Sequence, residues 1–382
     1  MITRIEAFRY RCFERLSVSL DRFQVFVGPN GSGKTTLLDI PIALGEMLSS
    51  RSIETAFLRP TATHTQARAD SGSDLIYKRA SQSFVLIVEA SLPESIVSGL
   101  LEKQTERRQP RAVEALRKAR KRWLSRVRYE IEIELFDEAI QIAQEYLLLL
   151  SEGADTQTTG PSGLIGEWLS ERSSKIIPVI LRPRGGKVRF YPEAETRGER
   201  NEYSFPPTEP AFSNLFADRR RYGAGLWLRD LLTTEACAYQ PNIAMLRAPQ
   251  PRVQRPAVVR DASTLPWLAY SLKQAADEPI STPEDTPAKV RRAFGSWERL
   301  ARLALQGLIR IEPIVREDDK HAYLKLHYRN GAAVSASGLS DGTLTLLAVT
   351  ILPFLSATPA LMTYEEPENG VHPKGIEILL QA

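Results

Sequence analysis

The sequence predicts an α/β fold, and three stretches carry that prediction. The first is Phe23–Leu38, FQVFVGPNGSGKTTLL, where an apolar run leads into a glycine-rich turn and an apolar helical run leads out. In the second, Val127, Tyr129, Ile131, Ile133 and Leu135 alternate with Arg128, Glu130, Glu132 and Glu134, the period of a half-buried strand. The third is Ala360–Tyr364, a short apolar strand that ends in Glu365 and Glu366 and follows a helical run, Thr343–Leu352.

The elements follow in order. Ile2–Leu20 reads as a hairpin that turns at Arg11–Arg15. Phe23–Val27 is the next strand and Lys34–Leu48 the helix after it. Ser49–Arg79 is polar, with few apolar anchors, and reads as a loop or surface insertion. Ser83–Ala90 is an apolar strand, and Pro93 opens a helix at its tolerated first position. Pro110 starts another helix, with Val113, Leu116, Trp123 and Val127 near one face and basic residues on the other. Ile140–Leu150 is either a strand pairing back antiparallel or a helix. Gly153–Gly163 is a loop, and Ile176–Leu181 and Val188–Tyr191 form a hairpin around Arg182–Lys187. Arg197–Pro210 is a polar connection, Ala224–Thr233 a helix and Ala248–Pro256 an extended linker. Asp261–Ala276 and Lys289–Ile309 read as helices separated by the proline-rich Glu278–Pro287. Ile311–Val315, Ala322–Tyr328 and Ala332–Val334 form a strand series, with Asn330–Gly331 as a type I′ turn.

A chain of 382 residues has room for two or three domains, and 43% hydrophobic with 25% charged residues is ordinary for a globular protein. Cys12 and Cys237 make no disulfide framework, which fits a reducing, cytoplasmic setting. The histidines at 64, 321, 327 and 372 lack zinc-ligand spacing. The longest apolar run, Leu344–Leu355, is too short to span a bilayer, so no membrane role is expected. The net charge of +4 is unevenly spread: Arg107–Arg128 holds ten Lys/Arg against one acid, Glu114. Such a run is either a solvated helix face or a surface for a phosphate backbone.

The chemistry is carried by three motifs. Gly28, Gly33, Lys34 and Thr35 fit the spacing G-x-x-x-x-G-K-[ST] between a strand and a helix. Glycines let a phosphate chain approach bare backbone, and the loop N–H groups with the helix N-terminus bind the anion. Lys34 would reach the β- and γ-phosphates, and the Thr35 hydroxyl would hold Mg²⁺. In Ser337–Leu344, SGLSDGTL, Ser340 sits at the N-cap of the next helix and Asp341 at its positive end, a pattern that by itself is only a cap. Glu365 and Glu366 close a strand downstream of the phosphate loop. The first would organise Mg²⁺ through water and the second would orient an attacking water; the plain alternative is a charged strand end.

In their order, GPNGSGKTT, GLSDGTL and YEEPENGVHP resemble the AAA/ABC-type ATPases of the RecF-like, SMC-like and OLD-like branch, and FRYRCFERLSVSL resembles their opening hairpin. The resemblance implies a P-loop NTPase fold, an ABC-type ATPase head with a RecA-like core, an antiparallel β subdomain and a helical lobe. It places the core in residues 1–48 and 311–382, with the β subdomain and helical lobe in 49–310. It implies a homodimer that forms on ATP. Gly28, Pro29, Asn30, Gly31, Ser32, Gly33, Lys34, Thr35 and Thr36 would hold the phosphates, with Mg²⁺ at Thr35 and Glu365. Ser340 and Gly342 would touch the γ-phosphate held by the partner. Glu366 would be the catalytic carboxylate, assisted by Lys34, and Arg9 or Arg11 would lie near the adenine.

The sequence departs from this pattern in places. Glu365 stands where most cassettes have Asp, and Gln82 is only a positional match to the Q-loop glutamine. Relatives continue to a switch histidine, whereas this sequence ends at Ala382, and His372 falls in the D-loop-like segment. Lys34 and Ser340 lie farther apart than in transporter cassettes, and coiled-coil arms are missing, which leaves the armless branch. The expected activity is hydrolysis of ATP to ADP and phosphate in DNA transactions or antiphage defence, with an effector protein such as a nuclease encoded nearby and DNA met through Arg107–Arg128. The alternative is a hydrolysis-poor, nucleotide-dependent module that switches a partner protein.

Overall fold

The computed structural model describes residues 1–61, 66–106, 110–156, 163–169, 175–193, 201–277, 288–367 and 369. They fall into two units, Met1–Ala236 and Cys237–Ala382.

The first unit is built on one antiparallel sheet. Its strands are β1 (Ile2–Tyr10), β2 (Phe13–Ser19), β3 (Ser83–Ser91), β4 (Leu124–Phe136), β5 (Ala139–Ser151), β6 (Ile176–Arg182), β7 (Val188–Phe190) and β8 (Asn201–Tyr203). The order across the sheet is β2-β1-β3-β4-β5-β6-β7-β8. Ile140–Leu150 is thus a strand, β5, running back against β4 with Tyr129 opposite Leu147. The helices of this unit are α1 (Lys34–Ser50), α2 (Ile53–Leu58), α3 (Glu94–Thr105), α4 (Pro110–Lys118) and α5 (Gly223–Thr233).

Several expectations are corrected here. Phe23–Val27 joins none of the sheets among the described residues, and Phe23, Val25 and Val27 are largely exposed. An apolar run becomes a strand only when neighbours take its backbone hydrogen bonds, and no described neighbour pairs with this one. The described part of Ser49–Arg79 is not a loose insertion. Ile53, Ala56, Phe57 and Leu75 are fully buried, and Arg68 ties the segment to α1 through Asp39 (2.7 Å) and Glu46. The Pro110 helix stops at Lys118. A short turn, Arg120–Arg122, follows, so Trp123 lies outside it and Val127 belongs to β4.

The strand β4 is buried on both faces rather than one. The Tyr129 ring packs tilted against Phe212 at 4.8 Å, and Tyr10, Phe57 and Phe84 form a ring cluster in the same unit. On the opposite face Arg128 is fully enclosed. It donates to Glu6 (2.6 Å), Glu130 (2.7 Å) and Glu89 (3.4 Å). A buried charge is tolerable only when so compensated.

Three buried glutamates pin the covering segments to this framework. Glu130 accepts from the backbone N–H groups of Ile165 and Gly166 at 3.0 and 2.9 Å. Glu145 accepts from Ala211 and Phe212 at 2.7 and 2.9 Å. Glu193 accepts from Ala224 and Gly225, in the first turn of α5, at 3.0 and 2.8 Å. Each pair meets the otherwise unpaired donors at the start of a helical turn.

The second unit contains β9 (Ala236–Tyr239), α6 (Ile243–Arg247), α7 (Leu265–Asp277), α8 (Ala288–Ala304), β10 (Leu308–Val315), β11 (Ala322–Tyr328), β12 (Ala333–Ser335), α9 (Asp341–Thr350) and β13 (Leu361–Tyr364). Strands β10, β11 and β12 form an antiparallel sheet, and β13 pairs with β9. Trp297 is fully buried at the core and donates through its ring N–H to Thr350 Oγ1 at 3.1 Å. The linker Ala248–Pro256 is anchored, because Gln250 and Ala322 exchange backbone hydrogen bonds at 2.7 and 2.8 Å. Glu278–Pro287 lies outside the described residues. Both units mix helices and strands, with a large antiparallel sheet in the first, in keeping with the expected α/β class.

Candidate functional site

The phosphate loop lies in the first unit. Gly33 adopts φ +92° immediately before α1, and a β-carbon there would come within 2.6 Å of the Phe13 ring and 2.8 Å of Cys12 Sγ. Both the conformation and the crowding require glycine. Gly31 is also left-handed, at φ +80°. Gly33 is the N-cap of α1 and has no side chain with which to cap it, and the first turn holds no acid. The partial positive charge at this helix start suits an anion.

Lys34 folds back over the loop. Its ammonium donates to the Gly28 carbonyl at 2.6 Å and the Pro29 carbonyl at 3.0 Å, which leaves one of its three N–H bonds for a phosphate oxygen. Ser32 closes the turn by donating its N–H to the Pro29 carbonyl at 3.2 Å. Pro29, Asn30, Gly31, Ser32 and Thr35 are exposed. The Thr35 hydroxyl at this edge suits a magnesium ion, which takes oxygen ligands.

Beside the loop is an open cavity of about 450 Å³ lined by Arg11, Cys12, Thr36, Asp74, Ile76, Lys78 and Arg79. Its size is that of a small-molecule site. Sequence reasoning missed Asp74, Lys78 and Arg79, because a polar, irregular segment gives no signal of where it folds. Arg11, Lys78 and Arg79 all hold left-handed backbones, at φ 48°, 51° and 52°. Arg11 lines the cavity, whereas Arg9 donates to the Ser83 carbonyl at 3.1 Å and faces Glu132 at 3.7 Å. Of the two arginines suggested for the adenine, only Arg11 is at the cavity.

Ser340, Gly342, Glu365 and Glu366 lie in the second unit. Ser340 is the N-cap of α9, accepting from Thr343 N–H at 3.2 Å, and its side chain is exposed. Arg247, which carries no sequence motif, reaches this turn. It donates to the Leu339 carbonyl at 2.9 Å and to Asp341 at 2.6 Å. Glu365 and Glu366 follow β13 and are exposed. Glu366 has φ 49°, an uncommon conformation for a residue with a side chain, and its carboxylate accepts from the Asn369 amide. His372 and the rest of the D-loop-like segment lie outside the described residues.

The basic run divides. Arg111, Arg117, Lys118, Arg120, Lys121 and Arg122 are exposed. Arg128 is enclosed, and Arg126 is bound to Glu89 (2.5 Å) and the Ser151 and Ala154 carbonyls (3.0 and 2.9 Å). Arg126 and Arg128 are therefore removed from the candidate DNA surface, because their charge is spent inside the fold. Arg107 and Arg108 lie outside the described residues. No helix among the described residues is long and apolar enough to cross a membrane.

Residues 270–382 match a family described as "AAA domain, putative AbiEii toxin, Type IV TA system". A search of curated proteins found no match. Among solved structures, the chain is similar to the Smc head domain with an extended coiled coil bound to the C-terminal domain of ScpA, from Pyrococcus furiosus. That likeness has 12% identity and a TM-score of 0.45 over 100% of this chain and 85% of that one. It is also similar to an SmcHead bound to the C-winged helix domain of ScpA, with 12% identity and a TM-score of 0.44 over 100% and 84% of the two chains. Similarity at this level does not carry the assembly or partners of those proteins over to this chain. Residues 270–382 thus resemble an AAA-domain family, and Gly28–Thr35 fit the spacing of a phosphate loop.

Proposed function

We propose that the chain binds ATP with Mg²⁺ at Gly28–Thr36, dimerises on ATP through the Ser340 turn and hydrolyses the nucleotide. The observation that carries this reading is the Lys34 ammonium folded over the loop carbonyls at the start of α1, directly behind the left-handed Gly33. Backbone N–H groups and Lys34 would hold the phosphates, while Thr35 and Glu365 would hold the metal. Bound Mg²⁺ would neutralise the phosphate charge. Glu366 would orient water toward the γ-phosphate, and Arg11 at the cavity would lie near the base. A place in antiphage defence alongside an effector protein is part of this reading; the matching family is described as a putative AbiEii toxin of a type IV TA system. The exposed Arg117, Lys118, Arg120, Lys121 and Arg122 support contact with DNA.

A second reading keeps nucleotide binding and removes turnover: a module that switches a partner protein. The Asn369 amide favours it, since it occupies one oxygen of the Glu366 carboxylate. Turnover by the purified chain separates the two readings. A hydrolase releases phosphate and loses that activity in Glu366→Gln while retaining ATP. A switch module binds ATP equally in both forms and releases none. In either case Lys34→Ala should lose nucleotide affinity with the fold intact, because among the described residues its hydrogen bonds run to two loop carbonyls. Unchanged affinity in that variant would remove the nucleotide site.

A further inference from the structure

The guanidinium of Arg247 holds the Ser340 turn from both sides. The same nitrogen, Nη2, donates to the carbonyl before Ser340 and to the carboxylate after it, at 2.9 and 2.6 Å. Arg247 closes α6, whose own N-cap, Asn242, accepts from Met245 N–H at 3.3 Å. Arg247 is thus fixed by one element and acts on another. Asp341, its partner, has a side chain 65% exposed in the first turn of α9.

Asp341 poses an electrostatic conflict. An acid in the first turn stabilises a helix, but a full negative charge there outweighs the partial positive charge of about one half at the helix end. An approaching polyphosphate would meet repulsion at the place where Ser340 offers its hydroxyl. Pairing with Arg247 cancels that charge and leaves the helix N-terminus its attraction.

We propose that Arg247 is a positioning residue for the nucleotide contact of the Ser340 turn, holding Leu339–Asp341 in place and neutralising Asp341 so that a triphosphate held by a second copy of the chain can dock. This rests on the reading that Ser340 meets the partner's γ-phosphate. Arg247 touches no phosphate in this scheme; it acts through Asp341.

The test is ATP-driven self-association, followed by light scattering, with ATP binding to the monomer measured alongside. Arg247→Ala should weaken dimerisation roughly tenfold, the scale of a charge favourably placed at a helix end. Binding to the monomer should be unchanged. Asp341→Asn should dimerise at least as well as the wild type, and the double variant should recover most of the loss. Added salt should narrow the gap between Arg247→Ala and wild type, as screening of Asp341 requires. A purely structural role predicts no recovery in the double variant and no salt effect. Arg247→Lys keeps the charge and should retain most of the association, which guards against misfolding of the alanine variant.

Wild-type association by Arg247→Ala, or failure of Asp341→Asn to restore it, overturns the proposal. The underlying reading fails differently: Ser340→Arg would then dimerise normally on ATP. A wild-type chain with no ATP-driven dimer overturns both.

Discussion

Gly45 of α1 lies so close to Leu232 of α5 that a β-carbon on it would sit 2.0 Å from the Leu232 carbonyl oxygen. The helix that leaves the phosphate loop therefore rests directly on the backbone of α5, and Glu193 in turn holds the start of α5. Gly45→Ala cannot be absorbed by a side-chain rotation, because the obstructing atom is backbone. The expected cost is about 1–3 kcal/mol, as for other overpacked interiors, read as a lower denaturation midpoint. Because α1 must shift to relieve the contact, ATP affinity should fall as well. A variant as stable as the wild type would show that α1 and α5 are not so tightly apposed.

Arg128 neutralises an acidic cluster that the chain brings together from β1, β3 and β4. Arg128→Met fills the space but removes the cation shared by Glu6, Glu89 and Glu130, leaving only the flanking Arg126 on Glu89 and Arg4 near Glu6 among the described residues. Breaking a buried pair in this way costs about 3–5 kcal/mol. Denaturant unfolding should show that loss, and restoring a neutral cluster with Glu6→Gln and Glu89→Gln should return part of it. A loss under about 1 kcal/mol would mean that water reaches the cluster.

Burial raises the carboxyl of Glu145, against Arg182 and the Phe212 and Ala211 N–H groups, which lower it. Burial likewise raises Glu193, against the Ala224 and Gly225 N–H groups and Lys103. A carboxyl whose folded value lies above its unfolded one holds a proton longer in the native state. Stability therefore falls as pH rises from the ordinary value of 4.5 through the raised one. Glu145→Gln keeps an acceptor for the backbone N–H groups and removes the titration. Relative to wild type, its stability should climb as pH is raised through that window, on top of a constant offset from altered hydrogen bonds. A flat difference between the two proteins across pH would contradict the raised value.

The legibility of the chain was uneven for physical reasons. Local signals were clear: alternation gave β4, Ser340 was readable as an N-cap, and the glycine spacing gave the turn before α1. Long-range compensation was not. Nothing near Arg128 in sequence marks it as enclosed, since Glu6 lies 122 residues away. The alternation that suggested an exposed polar face was real, yet the segment around Ile165 covers it. Arg247 was equally silent, being an isolated arginine in a short helix whose partner Asp341 is 94 residues downstream. Phe23–Val27 shows the converse: an apolar run states a preference for burial, but strand pairing depends on neighbours that sequence pattern does not supply.

The last prediction concerns nucleic acid and the exposed part of the basic run. Lys118 is paired with Glu114 at 2.6 Å, and Arg120 lies over the Trp123 ring at 5.8 Å, contacts that leave both side chains at the surface. Trp123 is itself tied down, its ring N–H donating to the Leu116 carbonyl at 2.9 Å, so it is poorly placed to stack on a base. Clustered cations without a free aromatic favour sequence-independent contact with the phosphate backbone. Such binding weakens with salt at a slope near −0.9 per phosphate neutralised on duplex DNA. Replacing Arg117, Lys118, Lys121 and Arg122 by Ser should therefore cut duplex affinity and flatten the slope by about three to four units if all four meet phosphate. Folding should be unaffected because all four are exposed, and ATP binding should persist because the phosphate loop is formed by other residues. Arg126 and Arg128 belong in the control: replacing them should lower stability rather than change the salt slope. If the four-residue variant binds duplex DNA with the wild-type affinity and slope, this surface is a solvated face and nothing more.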